Sequence, residues 1–326
     1  MTLGRTAVAL VVTGAVWLLF PECARAWTPG THVYLGEMIL GNLHLLPSSI
    51  AGLLQAFPFD FLYGSIAPDT SIAKKYVPPG RHSHFWNVGQ ETFDYAASDA
   101  LRAFGLGYLA HLAADAVAHN YFVPRQLLLT TSTSTMGHSY WESRIEVHLT
   151  DLFARKARDL IKLDHSPADR HLEQIISPTL FSVRTNRRIF RGMVHLAETK
   201  SWQRAMLAAR ERSRWLLADQ DIERHLAIAY DYTVDVLAGT DSDPAASRAR
   251  ALDPSGASAL RAAKRLRRKA MDLGKLGSPA RLLDLAEEKF GVRSLELGYW
   301  GKSLIDRPWL ARESDLRQEI LTLAGE

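Results

Sequence analysis

Residues 105–122 read GLGYLAHLAADAVAHNYF, and this stretch decides the fold. Its apolar residues recur at three- and four-residue spacing, which predicts a helix. His111, Asp115 and His119 stand within it at i, i+4 and i+8. Each step of four residues turns about 400°, so successive side chains drift only about 40° around the axis. The three therefore share one face, and Ala113, Ala114, Ala116 and Ala118 leave the approach to it open. Imidazole and carboxylate are zinc ligands. The plainer reading of any one of them is a core residue with a satisfied hydrogen bond. Three such groups in an Ala/Leu helix each need a buried partner, which favours a metal.

Outward from that helix the device recurs. The segment GHSYWESRIEVHL carries His138 and Glu142 at i, i+4, again on one face. A histidine–carboxylate hydrogen bond near a helix start accounts for this pair equally well. Glu146 and His148 belong to the solvated or core remainder of that helix. Upstream, Asp69 in GSIAPDT and His84 in RHSHFWN sit on loops able to bend toward a site. His32 opens the first helix. Aromatic residues flank these positions: Phe85, Trp86, Tyr121, Tyr140 and Trp141 suit either a ligand pocket or ordinary packing.

The rest of the chain is helical in pattern too, with three/four spacing through 32–46, 101–122, 140–163, 202–217 and 221–237. No stretch alternates with period two long enough for a sheet, so the fold class is all-α. Segment 58–89 is loop-rich, with Pro68, Pro78-Pro79-Gly80 and the pair His82/His84. Segment 239–258, rich in Asp, Ser, Pro and Ala, reads as a linker or long loop. Residues 27–238 then form the main domain and 259–326 a helical extension. That extension opens on a basic helix over 257–273 carrying Arg261, Lys264, Arg265, Arg267, Arg268 and Lys269. A charge run of this kind is ordinarily a solvated face or an interaction surface.

Composition bounds the function. The chain has 326 residues, 47% hydrophobic and 23% charged, enough for a full core and too ordinary for disorder. A single cysteine excludes a disulfide framework or a Cys-rich zinc finger. A net charge of +4 does not imply nucleic acid without a clustered basic face. Half of the twelve histidines fall between His82 and His148. At the N-terminus, residues 6–20 form an uncharged apolar run behind Arg5, followed by Ala24-Arg25-Ala26, the small-x-small pattern of signal-peptidase cleavage. The run is shorter than a membrane span requires. Residues 1–26 are thus expected to be a signal peptide, giving an exported protein that begins at Trp27 and has lost its only cysteine, Cys23. The signal serves periplasmic and secreted proteins alike.

In order, Trp27, His32, Asp69, His84, His111-x-x-x-Asp115-x-x-x-His119 and His138-x-x-x-Glu142 resemble the zinc-dependent phospholipase C family. Its cousins in fold and metal site are the three-zinc nucleases of the S1/P1 type and the N-terminal domain of the serum phosphatidylinositol-glycan-specific phospholipase D. The resemblance spans about 27–163 and implies an all-α fold around three zinc ions. It would give one zinc to Asp69, His84, His111 and Asp115, and a second to His119, His138 and Glu142. The third would take the α-amine and carbonyl of Trp27, with His32 and Asp115, so that Asp115 bridges two metals. A terminal amine has a pKa near 7.7–8.0, so its lone pair is available around neutrality once the leader is removed. The short gap from Trp27 to His32 matches the nuclease branch. The tight Asp115–His119 spacing matches the phospholipase D domain, and Glu142 stands where the nucleases carry Asp.

The resemblance implies hydrolysis of a phospholipid phosphodiester, with Asp69 as the residue orienting or deprotonating the water. The alternative is a secreted phosphodiesterase on single-stranded nucleic acid or nucleotides, using aromatic stacking. A third reading is a non-catalytic, zinc-stabilised module with peripheral membrane contact through its basic helix. A closed structural zinc site needs only four ligands, which weighs against it.

Overall fold

In the computed structural model the described residues are 27–71, 77–78, 80–130, 137–146, 148–149, 151–197, 199, 213, 217–239, 247–272, 279–292 and 298–309. The leader and most of the helix expected over 202–217 lie outside them. The described elements are all helical, with no strand among them. In chain order they begin with α1 (Pro29–Leu40), α2 (Ser48–Ala56), α3 (Pro58–Gly64), α4 (Trp86–Asp94), α5 (Asp99–Val117), α6 (Val123–Leu129) and α7 (Gly137–Glu146). There follow α8 (Asp151–Leu160), α9 (Ser166–Ile175), α10 (Val183–Ala197), α11 (Asp219–Gly239), α12 (Ala257–Asp272), α13 (Pro279–Phe290) and α14 (Tyr299–Lys302). None of the described helices is long and apolar enough to cross a membrane.

Everything is arranged around α5. Ser98 caps it by accepting a hydrogen bond from the Leu101 amide at 3.3 Å, and Asp99 sits where the helix dipole favours an anion. Every residue from Ala103 to Val117 is buried, because α3, α4 and α11 all pack on this helix. A helix wrapped on all sides leaves no water for its polar groups. That is why the three on its ligand face must find partners within the protein.

The expected helix over 101–122 changes character at Ala118, where the ladder widens into a π-turn spanning Ala118–Phe122. Pro124 supplies the reason. It has no N–H to give the Asn120 carbonyl and its ring crowds that turn, so the ladder opens upstream. The helix expected over 140–163 is two helices, α7 and α8. The Ile145 and Glu146 carbonyls are closed by tighter three-residue bonds from His148 and Leu149, at 2.8 and 3.0 Å. His148 is then held by Asp219 on α11, its Nδ1 2.9 Å from Oδ1. Segment 58–89 is less loop-rich than expected: α3 starts at Pro58, where a missing N–H costs nothing, and a 3₁₀ turn covers Ala67–Thr70.

The C-terminal part of the chain straps the N-terminal helix in place. Tyr34 on α1 donates to the Asp306 carbonyl at 2.8 Å, and Asn42 exchanges two hydrogen bonds with the Leu304 backbone. Asp231 on α11 accepts from the Trp300 amide at 2.6 Å. Trp309 and Trp300 are buried under these contacts.

Candidate metal centre

Two glycines bring the backbones of α3 and α5 into contact. A Cβ at Gly64 would lie 2.1 Å from the Phe104 carbonyl, and one at Gly107 would lie 2.0 Å from that of Phe61. The close crossing sets the Ser65 carbonyl 2.9 Å from His111 Nδ1. With Nδ1–H donating there, Nε2 keeps its lone pair for the interior of the site.

The same arrangement recurs at two more histidines. His84 Nδ1 is 3.1 Å from Ser83 Oγ, and Tyr108 on α5 donates to the Ser83 carbonyl at 2.7 Å, tying the 82–85 loop to the central helix. His119 Nδ1 lies 2.5 Å from the Pro254 carbonyl. That carbonyl belongs to a turn ending at Gly256, whose φ is +56° and whose Cβ, if it had one, would lie 2.3 Å from His119 Cβ. Only glycine fits that position. Each of the three rings thus has Nδ1 against an oxygen; at His111 and His119 that oxygen is a carbonyl, which only accepts and so fixes the tautomer as at a metal-binding histidine.

The inner nitrogens converge. His84 Nε2 and His111 Nε2 are 3.2 Å apart. Each faces Asp115 Oδ2, at 3.0 and 3.2 Å respectively. Asp69 Oδ1 lies 3.5 Å from His84 Nε2. Ligand atoms held tetrahedrally at about 2.0–2.1 Å from one zinc sit about 3.3–3.4 Å from each other. His84, His111 and Asp115 match that spacing, three of the first ligand set named from sequence, and Asp69, the fourth, lies at it from His84. The other carboxylate oxygen, Asp115 Oδ1, faces His32 Nε2 at 3.3 Å. The His32 ring stacks on His111 with centroids 3.9 Å apart, and His32, Asp69 and His111 also form a group able to hold a metal.

No well-formed hydrogen bond closes on His32 Nε2 or on either oxygen of Asp115, all buried. A site with these atoms facing inward needs a cation, because buried polar atoms left unmatched cost several kcal/mol each, about 1–3 by mutational measure. The residues present therefore fit zinc. Electrostatics agrees. Burial opposes ionisation of Asp115, but His111, His32 and His84 outweigh it and hold the carboxyl well below its usual range. Burial, reinforced by His111, lowers His32 to about 4, leaving it a neutral ligand at ordinary pH. Burial also disfavours a charged His111, yet the Asp115 carboxylate raises it overall. The metal and that proton compete for one lone pair.

Other expected ligands are placed less completely. Trp27 is fully buried; its Nε1 donates to the Ala114 carbonyl at 2.9 Å and its ring stacks on Phe122. His119 Nδ1 is 3.9 Å from Asp115 Oδ2. Glu142 is buried on α7, whereas the side chain of His138 lies outside the described residues. Ser65, Ser83, Tyr108, Pro254 and Gly256 were not anticipated. The Asp-Pro-Ser-Gly run at 253–256 signals a turn in sequence, but nothing in it points to a histidine 135 positions earlier. Of the aromatics, Trp86 is committed to structure, donating to the Leu252 carbonyl at 2.9 Å beneath the Arg250 guanidinium.

Residues 31–183 match the family model described as zinc-dependent phospholipase C, a family of phospholipase C hydrolases. The match takes in every expected ligand except Trp27, and it ends before α11 and the Pro254–Gly256 turn. No curated protein and no solved structure matches the chain.

Proposed function

We propose that this protein is an exported zinc-dependent phosphodiesterase that cleaves phospholipids on the diacylglycerol side of the phosphate, with water as nucleophile. The observation that carries the reading is the buried cluster of His84, His111 and Asp115, with ligand atoms 3.0–3.2 Å apart and Asp69 Oδ1 3.5 Å from His84 Nε2. Asp115 supports a bridging role, since one oxygen faces His84 and His111 and the other faces His32. Around it we place three zinc ions in the sets given above, the third completed by the amine and carbonyl of Trp27 after cleavage behind Ala26.

Bound zinc supplies positive charge for phosphoryl oxygens and acidifies water. The chain's own residues supply the rest. The Asp69 carboxylate takes the proton of the attacking water and orients it; its burial at 2% exposure keeps bulk water from competing. The Ser65 and Pro254 carbonyls hold His111 and His119 with Nδ1 protonated, and the Ser83 hydroxyl orients His84.

The reading is tested with zinc-loaded protein of verified Trp27 terminus, assayed on phosphatidylcholine vesicles and on single-stranded DNA. We expect close to three zincs per chain and release of phosphocholine. Faster cleavage of the DNA would move the protein to a nuclease activity. Asp69→Asn should lower turnover by about 10²–10⁴-fold while keeping most of the zinc. Unchanged turnover would remove Asp69 from the chemistry.

A further inference from the structure

Helix α12, outside the family segment, presents its cations in a pattern that composition alone does not reveal. Arg261, Lys264, Arg265, Arg268 and Lys269 are all exposed. They stand at i, i+3, i+4, i+7 and i+8, which is one stripe along a helix. The stripe extends over about 12 Å at 1.5 Å per residue. The opposite side is the packed one: Ala263 and Ala270 are buried, Leu266 is half-buried, and Arg267 turns inward to donate to the Leu127 carbonyl at 3.4 Å. Through that side α12 rests on α6 and on the π-turn bearing His119. Among the described residues no carboxylate pairs with any of the five outer cations. A helix that needed only solubility would intersperse both signs on its outer face.

We propose that this stripe is a docking surface for an anionic phospholipid bilayer. The partner follows from what the face has and lacks. It offers five cations in a row and no apolar side chain among them, so it binds headgroups by charge without inserting. A single-stranded nucleic acid would be gripped by aromatic stacking as well as by charge. Helix α12 contains no Phe, Tyr or Trp. Docking through α12 would tether the molecule by the helix that braces the His119 turn, holding the metal centre at the lipid surface.

The test is co-sedimentation of the zinc-loaded protein beginning at Trp27 with vesicles of phosphatidylcholine alone and of phosphatidylcholine with one-third phosphatidylglycerol. Wild-type protein should bind the anionic vesicles far more tightly than the neutral ones, and come off them as salt rises. A variant with all five cations changed to Gln should bind the anionic vesicles about a hundredfold or more weaker, each cation near such a surface strengthening binding about fivefold. Its turnover of a short-chain phosphatidylcholine below its micelle threshold should not change, because none of the five is in the metal centre. Should the five changes unfold the protein, Lys264→Gln and Arg268→Gln are measured singly, with about a fivefold loss expected for each. Equal binding by wild type and variants overturns the proposal, as does wild-type affinity for single-stranded DNA exceeding that for the vesicles at the same salt. Vesicle binding is read without turnover, so a failure of the phospholipase reading would appear separately, as wild-type protein that binds vesicles but does not hydrolyse the soluble lipid.

Discussion

His32, His84 and His111 come from three separate stretches of sequence, and all bring Nε2 to one carboxylate, that of Asp115. Such a meeting is stable only if each imidazole is held in one rotation, and the Ser83 hydroxyl does this at His84 while the Ser65 carbonyl also fixes the tautomer at His111. His119 depends instead on the turn ending at Gly256. Gly256→Val would strain a positive φ and drive a side chain into His119, so we expect about 3 kcal/mol of destabilisation or more. Zinc affinity should fall about 10–100-fold, as for other lost outer contacts of a ligand histidine. Chelator competition followed by thermal melting separates the two effects. The ligand face of α5 could be read from sequence because a period of four keeps three side chains on one side. The oxygens behind the rings could not, since a carbonyl acceptor leaves no trace in residue identity.

Helix α5 shows what one buried element asks of its neighbours. Gly64 and Gly107 let α3 lie against it backbone to backbone, and that contact alone puts the Ser65 carbonyl within reach of His111. Gly107→Val should therefore push the two helices apart. We expect a loss of about 3 kcal/mol or more in denaturant unfolding, accompanied by weaker zinc binding. Gly192→Ala, where an added Cβ meets nothing within 4 Å, should be close to neutral or stabilising in the same measurement. The helical character of 101–117 was plain from spacing. The π-turn after it was not, although Pro124 in hindsight marks where the ladder must loosen. The break between α7 and α8 was hidden because its cause is tertiary, the capture of His148 by Asp219.

Taken whole, the molecule is built around buried charge, and its stability should follow pH and metal. His225 on α11 is buried at 1% exposure, donates from Nδ1 to the Asp221 carbonyl at 2.6 Å, and stacks edge-on against Phe122. Burial lowers it to about 4. The unfolded chain takes up that proton near 6.5 and the folded chain only near 4, so the unfolded state is favoured progressively as pH falls between them. Zinc-loaded protein should lose on the order of 3 kcal/mol over that window, and His225→Gln should flatten the slope. Removing zinc with a chelator at neutral pH should lower the melting temperature by several degrees or more, because the Asp115 carboxylate is left without its cation. The all-α class and the candidates that gather at His84, His111 and Asp115 could be read from sequence; the fold's closure could not. The segment taken as a linker contains Pro254, and its 135-residue reach back to His119 has an evolutionary corollary. Adding or deleting a single residue between Arg248 and Gly256 would slide the wrong carbonyl beneath that ring. Length in this stretch should be as strictly inherited as the histidines themselves, even though no metal-binding side chain lies in it.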